Sequence, residues 1–213
     1  MKINLLCDNK DSWFWNKNSK FLDDIENLGH KIKICKNEKE LDQADISAFI
    51  SCTKIVSLDG LAKSRSNIVC HPSDLPEGRG FSPIAWDILN DKKELTFTLF
   101  EANKNIDEGL IYDKIKVQLH GTELSNDLRQ IQSEITFSMI LNYIKNFPVT
   151  SSVPQKGSGS WNRKRSLKDS ELDINKSILD QINILRIVDN ELYPAFFYYK
   201  GEKFILKIYK ESS

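Results

Sequence analysis

Through its first hundred residues the chain alternates short apolar runs with amphipathic stretches, the pattern of strands and helices wound into one α/β sheet. Ile3 to Cys7 reads as the first strand. Ser19 to Leu28 carries Phe21, Leu22, Ile25 and Leu28 at helical spacing with Gly29 as a stop, and Lys31 to Cys35 alternates Lys with Ile as a strand does. That is a βαβ opening. Ile46 to Cys52 is a further buried run, Leu58 to Ser64 a short helix, and Asn67 to His71 a run that ends on a polar side chain. His71 thus falls at a strand's carboxyl end, the edge of an open α/β sheet where ligands bind.

A helix is predicted from Ser82 to Leu89, opened by Ser-Pro, and strands from Leu95 to Phe100 and from Leu110 to Leu119, separated by the polar loop Glu101 to Gly109. Thr122 to Ile144 holds the longest helical period and stops before Pro148. From Thr150 to Ser166, Ser, Gly, Pro and basic residues replace the apolar runs, which predicts a boundary between a region 1–150 and a small α+β region 151–213. In the second region Ile174 to Val188 reads as a helix, and Phe196 to Tyr199 and Lys203 to Tyr209 as strands about a Lys200-Gly201 turn. The apolar hairpin from Phe196 to Ile208 offers a face for a homodimer.

Several function classes lose their footing. Thirty basic and thirty acidic side chains give a net charge of zero, so no global field draws nucleic acid. No apolar stretch reaches the roughly eighteen residues of a membrane helix and no signal-peptide core precedes the first strand, so a cytoplasmic protein with no membrane partner is expected. Cys7, Cys35, Cys52 and Cys70 are far apart in apolar runs, and the three histidines form no HxxxH or HxH pair, so no metal site is expected. No GxGxxG or GxxxxGK[ST] phosphate cradle occurs; Gly157-Ser158-Gly159-Ser160 is too short and wrongly placed. His30 and His120 read as structural or exposed, and Trp13 and Trp15 as a rim of the site or an apolar cap.

The stretch Cys70-His71-Pro72-Ser73-Asp74-Leu75-Pro76-Glu77-Gly78-Arg79-Gly80-Phe81-Ser82-Pro83-Ile84-Ala85-Trp86, followed by Ile106-Asp107-Glu108-Gly109-Leu110-Ile111, is the most informative in the chain. It resembles the folate-dependent formyltransferases, whose signature runs His-x-Ser-x-Leu-Pro, Arg-Gly, a Pro-bearing helix start, then Asp-x-Gly-x-Ile. From position 71 to position 107 the separation is 36 residues. The likeness is strong over about residues 45 to 145 and implies a Rossmann-like α/β formyltransferase domain with a small C-terminal α+β appendage, using 10-formyltetrahydrofolate.

The chemistry can be argued without the family. Acyl transfer to an amine passes through a tetrahedral species bearing an oxyanion, and the attacking nitrogen must lose a proton. Imidazole titrates near neutrality, and a neighbouring carboxylate orients it. His71 and Asp107, each at the mouth of a predicted strand, fit those catalytic roles; the bland alternative is a strand-end histidine satisfied by backbone and an ordinary turn aspartate.

The resemblance further implies a pterin pocket on the loop edges, with Thr53, Lys54, Ile55, Glu101 and Ile106, and on the motif loop, with Ser73 and Leu75. It assigns the acceptor to Arg79 and Gly80, and to the segment Gln155 to Arg165, where Trp161, Arg163 and Arg165 couple an aromatic plane to cations that can grip a nucleotide diphosphate. The competing reading of that segment is a solvated linker. One departure stands out: the Asn two positions before the His in the resembling enzymes is Val69 here, and Asn67, four before, reads as a strand-start residue.

Trp86 and the long helix look most like enzymes that formylate 4-amino-4,6-dideoxy sugars on UDP or dTDP. That gives the expected substrate, a nucleotide-linked amino sugar of surface glycans. The rivals are a methionyl-tRNA or other small-amine formyltransferase and a non-catalytic folate- or nucleotide-binding relative. Length and zero net charge favour a small substrate, and retention of both His71 and Asp107 favours catalysis.

Overall fold

The computed structural model describes residues 1–149 and 151–211; Thr150, on which the expected boundary falls, and positions 212 and 213 lie outside the described residues. The chain runs β1 (Lys2–Leu6), α1 (Phe14–Lys17), α2 (Ser19–Asn27), β2 (Lys31–Cys35), β3 (Ala44–Phe49), α3 (Leu58–Leu61), β4 (Ser64–His71), β5 (Arg79–Gly80), α4 (Pro83–Leu89), β6 (Glu94–Glu101), β7 (Ile111–Gln118) and α5 (Ser125–Lys145). Then follow β8 (Trp161–Asn162), α6 (Ile182–Ile187), β9 (Ala195–Tyr199) and β10 (Glu202–Leu206).

Six strands form one sheet in the order β2-β1-β3-β4-β6-β7. The first four are parallel, whereas β6 lies antiparallel to β4 and β7 antiparallel to β6. The central strands are covered on both faces, which is why β1 is buried from Ile3 to Leu6 and β3 from Ile46 to Phe49, both mostly apolar, while edge strand β2 alternates with Lys. Phe21 and Ile25, one turn apart on α2, and Phe137 and Ile140 on α5 enter the same core, and the Phe21 and Phe137 rings stack at 4.3 Å. Strand order reverses at β1, since β2 lies on one side of it and β3 on the other, and this opens a crevice at their carboxyl ends.

The helix expected from Leu58 to Ser64 stops at Leu61 and β4 begins at Ser64 rather than Asn67, and three further elements differ from expectation for local reasons. The long helix begins at Ser125 rather than Thr122, because the Glu123 carboxylate accepts from the His120 and Gly121 amides and Asp127 caps the Leu124 amide. Of the helix expected from Ile174 to Val188 only residues 179–187 are helical. Asp173 accepts from the Asn175 amide and Ser177 exchanges hydrogen bonds with Asp180, so these short polar side chains hold a turn in place of the first helical turns. The last strand stops at Leu206, because Ile208 pairs through both its backbone groups with the Asn190 side chain.

The C-terminal residues are tied to the large sheet's layers. β8 runs parallel to β5, Ile187 joins the main core, and Arg186 forms a buried ion pair with Glu123 at 2.9 Å. The β9 and β10 hairpin leaves Tyr198, Phe204 and Ile205 exposed. No helix among the described residues is long and apolar enough to cross a membrane.

Candidate functional site

His71 ends β4 and is 8% exposed. Its Nε2 lies 2.9 Å from the Gly78 carbonyl oxygen, to which it donates in the tautomer protonated there, and 3.8 Å from Asp107 Oδ2, just beyond hydrogen-bond reach. Asp107 adopts a left-handed backbone with φ of 53°, and its Oδ2 accepts from the Gly80 amide at 2.8 Å. The loop behind it is pinned twice: Gln155 Nε2 donates to the carbonyls of Asp107 and Gly109 at 2.8 and 3.1 Å. Gly109 is required by close approach, since a Cβ there would sit 1.5 Å from the Glu101 carbonyl oxygen. The Asp-x-Gly spacing therefore delivers a carboxylate to the histidine only because the third residue has no side chain.

The pair lies in the wall of a cleft of about 230 Å³ between the ends of β3 and β4 and the loop after β6. Its lining includes the apolar Phe49, Val56, Leu61, Val69 and Phe100 and the polar His71, Asp107, Asn103, Asn105, Gln132 and Thr136. Asp8, at the end of β1, reaches across the strand-order reversal and accepts from the Thr53 amide and hydroxyl at 2.6 and 3.1 Å and from the Lys54 amide at 3.1 Å. This carboxylate holds the 53–54 turn in place. Cys52 also lines the cleft, but burial pushes its thiol up to about 12, so it stays protonated and is no nucleophile at neutral pH.

The expected cofactor residues divide. Thr53, Lys54, Ile55 and Ile106 line the cleft. Leu75, expected with them, does not: it is 1% exposed and packs on Phe100 and Ile111. Ser73 is also turned inward; its hydroxyl is buried without a partner, and its carbonyl accepts from the Thr98 hydroxyl at 2.6 Å. Glu101 points its carboxylate away from the cleft, where it accepts from the Ser66 hydroxyl, the Tyr112 hydroxyl and the Asn67 amide at 2.7, 2.8 and 2.7 Å. A polar cluster with the Tyr143 hydroxyl satisfies it there. Asn67 donates its own Nδ2 to the Leu61 carbonyl, away from His71.

The expected acceptor residues divide as well. Gly80 lines the cleft, and Arg79 lies over the Trp161 ring at 5.9 Å while bonded to Glu108 and Gln155. Arg163 is committed elsewhere: it forms a two-pronged pair with Asp169 and lies 4.7 Å over Trp86, whose Nε1 donates to the Arg163 carbonyl. Arg165 lines a second cavity, and among the described residues its guanidinium donates to the Ile187 carbonyl and the Ser170 hydroxyl. Sequence reasoning missed Gln132 and Thr136, which reach the cleft from α5; the available signal was two polar residues four apart within an otherwise apolar helix stripe.

No protein-family model matches the chain. A methionyl-tRNA formyltransferase of Malacoplasma penetrans is 24% identical over 189 residues, which cover 85% of this chain and 58% of that protein. The chain spans 58% and 39% of the lengths of the two curated relatives compared. Among solved structures, a methionyl-tRNA formyltransferase from Clostridium thermocellum superposes with a TM-score of 0.83 at 23% identity, covering 100% of this chain and 94% of that one. A 4-N formyltransferase from Francisella tularensis gives 0.72 at 18% identity, covering 100% and 98%. HypX from Aquifex aeolicus in complex with tetrahydrofolic acid gives 0.80 at 17% identity, covering 98% and 37%. In sequence the chain is similar to formyltransferases, and its mixed, largely parallel α/β sheet is the Rossmann-like fold of the solved ones.

Proposed function

We propose that this chain is a cytoplasmic N-formyltransferase that moves a formyl group from 10-formyltetrahydrofolate to the amine of a nucleotide-linked 4-amino-4,6-dideoxy sugar. The observation that carries the reading is the meeting of His71 with Asp107, whose Nε2 and Oδ2 stand 3.8 Å apart in the wall of a half-apolar cleft. In this reading residues 1–150 carry the chemistry and residues 151–213 contribute to the acceptor side.

The cleft's residues fit a folate. Its apolar residues match the face of a flat ring, and its carboxamides and the 53–55 turn supply the polar edge that a pterin needs. Thr53, Lys54, Ile55 and Ile106 would hold the ring, and the folate when bound supplies the formyl group. In the neutral tautomer with Nε2 unprotonated, His71 then takes the proton that the attacking amine loses, and the imidazolium so formed donates to the oxygen on which negative charge develops. To do so it gives up its bond to the Gly78 carbonyl for the reacting atoms. Asp107, fixed by the Gly80 amide, aims the imidazole as the two close from 3.8 Å. With Val69 in the position of the usual Asn, Gln132 is a side-chain amide donor available in the same cleft.

The sugar acceptor is supported by the Arg79 and Trp161 pair beside the cleft, a cation with an aromatic plane suited to a nucleotide, and by the 4-N formyltransferase neighbour. A methionyl-tRNA acceptor is favoured by the names of the curated relatives. The chain's length does not weigh in this choice, because it spans only part of those proteins. Incubation with 10-formyltetrahydrofolate and a panel of UDP- and dTDP-amino sugars beside methionyl-tRNA, read as gain of formyl mass, separates the two. Formylation of a sugar nucleotide is expected; formylation of methionyl-tRNA alone rejects the sugar, and formylation of nothing rejects the transferase.

A further inference from the structure

At the carboxyl ends of β1 and β2 lies a hollow of about 300 Å³, distinct from the cleft and lined by Cys7, Asp8, Lys10, Trp15 and Lys36. It opens where the two strands part: the Cys7 amide still donates to the Cys35 carbonyl at 3.0 Å, and the next residues, Asp8 and Lys36, already line the hollow. Its aromatic wall is fixed, since Trp15 Nε1 donates to the Asn9 carbonyl at 2.8 Å and the ring packs edge-on against Phe14 at 5.2 Å. Lys36 lies over that ring at 5.7 Å. Among the described residues neither the Lys10 nor the Lys36 ammonium forms an ion pair. Asp8, the one carboxylate in the lining, has both its oxygens engaged by the Thr53 and Lys54 amides, and Glu40 accepts from the Lys36 amide and the Asn37 side chain. Two cations thus face one carboxylate that other donors already share. An ammonium on a four-carbon stem meets a flexible, multiply charged anion without demanding a fixed geometry.

The order of the strands says which anion can reach it. His71 ends β4, and the order β2-β1-β3-β4 puts the gap between β1 and β2 two to three strands away along the same carboxyl edge, about 12 Å at roughly 4.8 Å per strand. The ground between belongs to the cleft's own rim: Ser51 and Cys52, just beyond β3, line the cleft, and Asp8 bonds the cleft's 53–54 turn to the hollow. A folate whose formyl-bearing nitrogen lies at His71 carries a benzoyl ring and then glutamate on the side of that nitrogen away from the pterin. The ring and first glutamate span most of the distance, and each further γ-linked glutamate adds more than the roughly 3.5 Å of an extended chain residue. We propose that the hollow of Lys10, Trp15 and Lys36 is a subsite for the carboxylate tail of a folate bearing several γ-linked glutamates, so that the carrier is held at both ends across the strand-order reversal. This subsite rests on the folate reading of the cleft.

Calorimetric titration of the full chain with tetrahydrofolate monoglutamate and with its triglutamate tests it. The triglutamate is expected to bind about three- to tenfold more tightly, the size that two solvent-facing charge pairs supply, and to lose that advantage as salt is raised. In the Lys10→Gln, Lys36→Gln double variant, altered only at exposed positions, the advantage is expected to vanish while the monoglutamate affinity changes less than about twofold and the melting temperature stays native. Lys36→Glu is expected to turn the advantage into a penalty. Equal affinity of the wild type for the two folates, or an advantage that survives in the double variant, overturns the subsite while the folate reading stands. Absence of binding by either folate rejects that reading and the subsite together.

Discussion

Gly109→Ala isolates the way backbone packing sets the histidine's carboxylate. A Cβ at this position would lie 1.5 Å from the Glu101 carbonyl oxygen, and real contacts of this kind stop near 3.0 Å, so the loop or the end of β6 must move by about 1.5 Å. The displaced chain includes the Glu101 amide bonded to the Leu110 carbonyl at 2.9 Å and the Gly109 carbonyl bonded to Gln155. Loss of one such buried pair costs about 1–3 kcal/mol. Asp107, two residues away, moves with the loop, and a misplacement of about 1 Å at a catalytic group costs on the order of a hundredfold in rate. The expected variant is folded, melts lower, and transfers formyl at least about a hundredfold more slowly with tetrahydrofolate affinity changed far less. Thermal melting and single-turnover transfer measure the two effects. Native stability together with a native rate would show that the tight Gly109 approach does not position Asp107.

Arg186→Met leaves Glu123 charged and buried among the side chains at the start of α5, and a broken buried pair of this kind costs about 3–5 kcal/mol, read by urea denaturation. Burial opposes the Glu123 charge, but the His120 and Gly121 amides and Arg186 outweigh it and hold the carboxyl below 4.5. Its contribution is therefore complete above pH 4.5 and lost as pH falls through the lower folded value, so the wild type should lose more stability on acidification than Glu123→Gln does. Asn67→Ala should cost about 1 kcal/mol through its bond to Leu61 yet leave the rate within about threefold, because four strand residues, roughly 13 Å, separate it from His71. Trp161→Ala should raise the acceptor KM about two- to fivefold at constant kcat, as loss of a ring beside Arg79 does, whereas Arg163→Ala, held by Asp169, should change KM less than about twofold.

The apolar runs locate β1, β3 and the second half of β4, because a strand covered on both faces has little choice but to be apolar, and the Lys-Ile alternation locates edge strand β2. They do not say that β6 and β7 turn antiparallel, since an alternating strand has the same pattern in either direction. The motif spacing brings His71 to Asp107, but it does not sort the residues between them. Leu75 and Ser73 hold the loop from inside, and Glu101 turns to Ser66 and Tyr112, because one short motif must build its own support as well as face a ligand. The basic segment illustrates the same limit. Arg163 and Arg165 are two apart, yet one pairs with Asp169 in the turn at residues 167–170 and the other reaches the Ile187 carbonyl at the end of α6, a partner that sequence spacing does not show. Gln132 and Thr136 sit on a helix whose period alone does not show which polar residues face a ligand, since most of the same face is core.

The central claim is that His71 handles the proton and the developing charge of formyl transfer in this cleft. Single-turnover transfer from 10-formyltetrahydrofolate to the best acceptor, measured by mass for the wild type and His71→Asn with tetrahydrofolate affinity determined in parallel, tests it most directly. The account predicts transfer by the wild type and a rate at least about a hundredfold lower in His71→Asn at unchanged folate affinity. A His71→Asn protein that transfers formyl at the wild-type rate would contradict it.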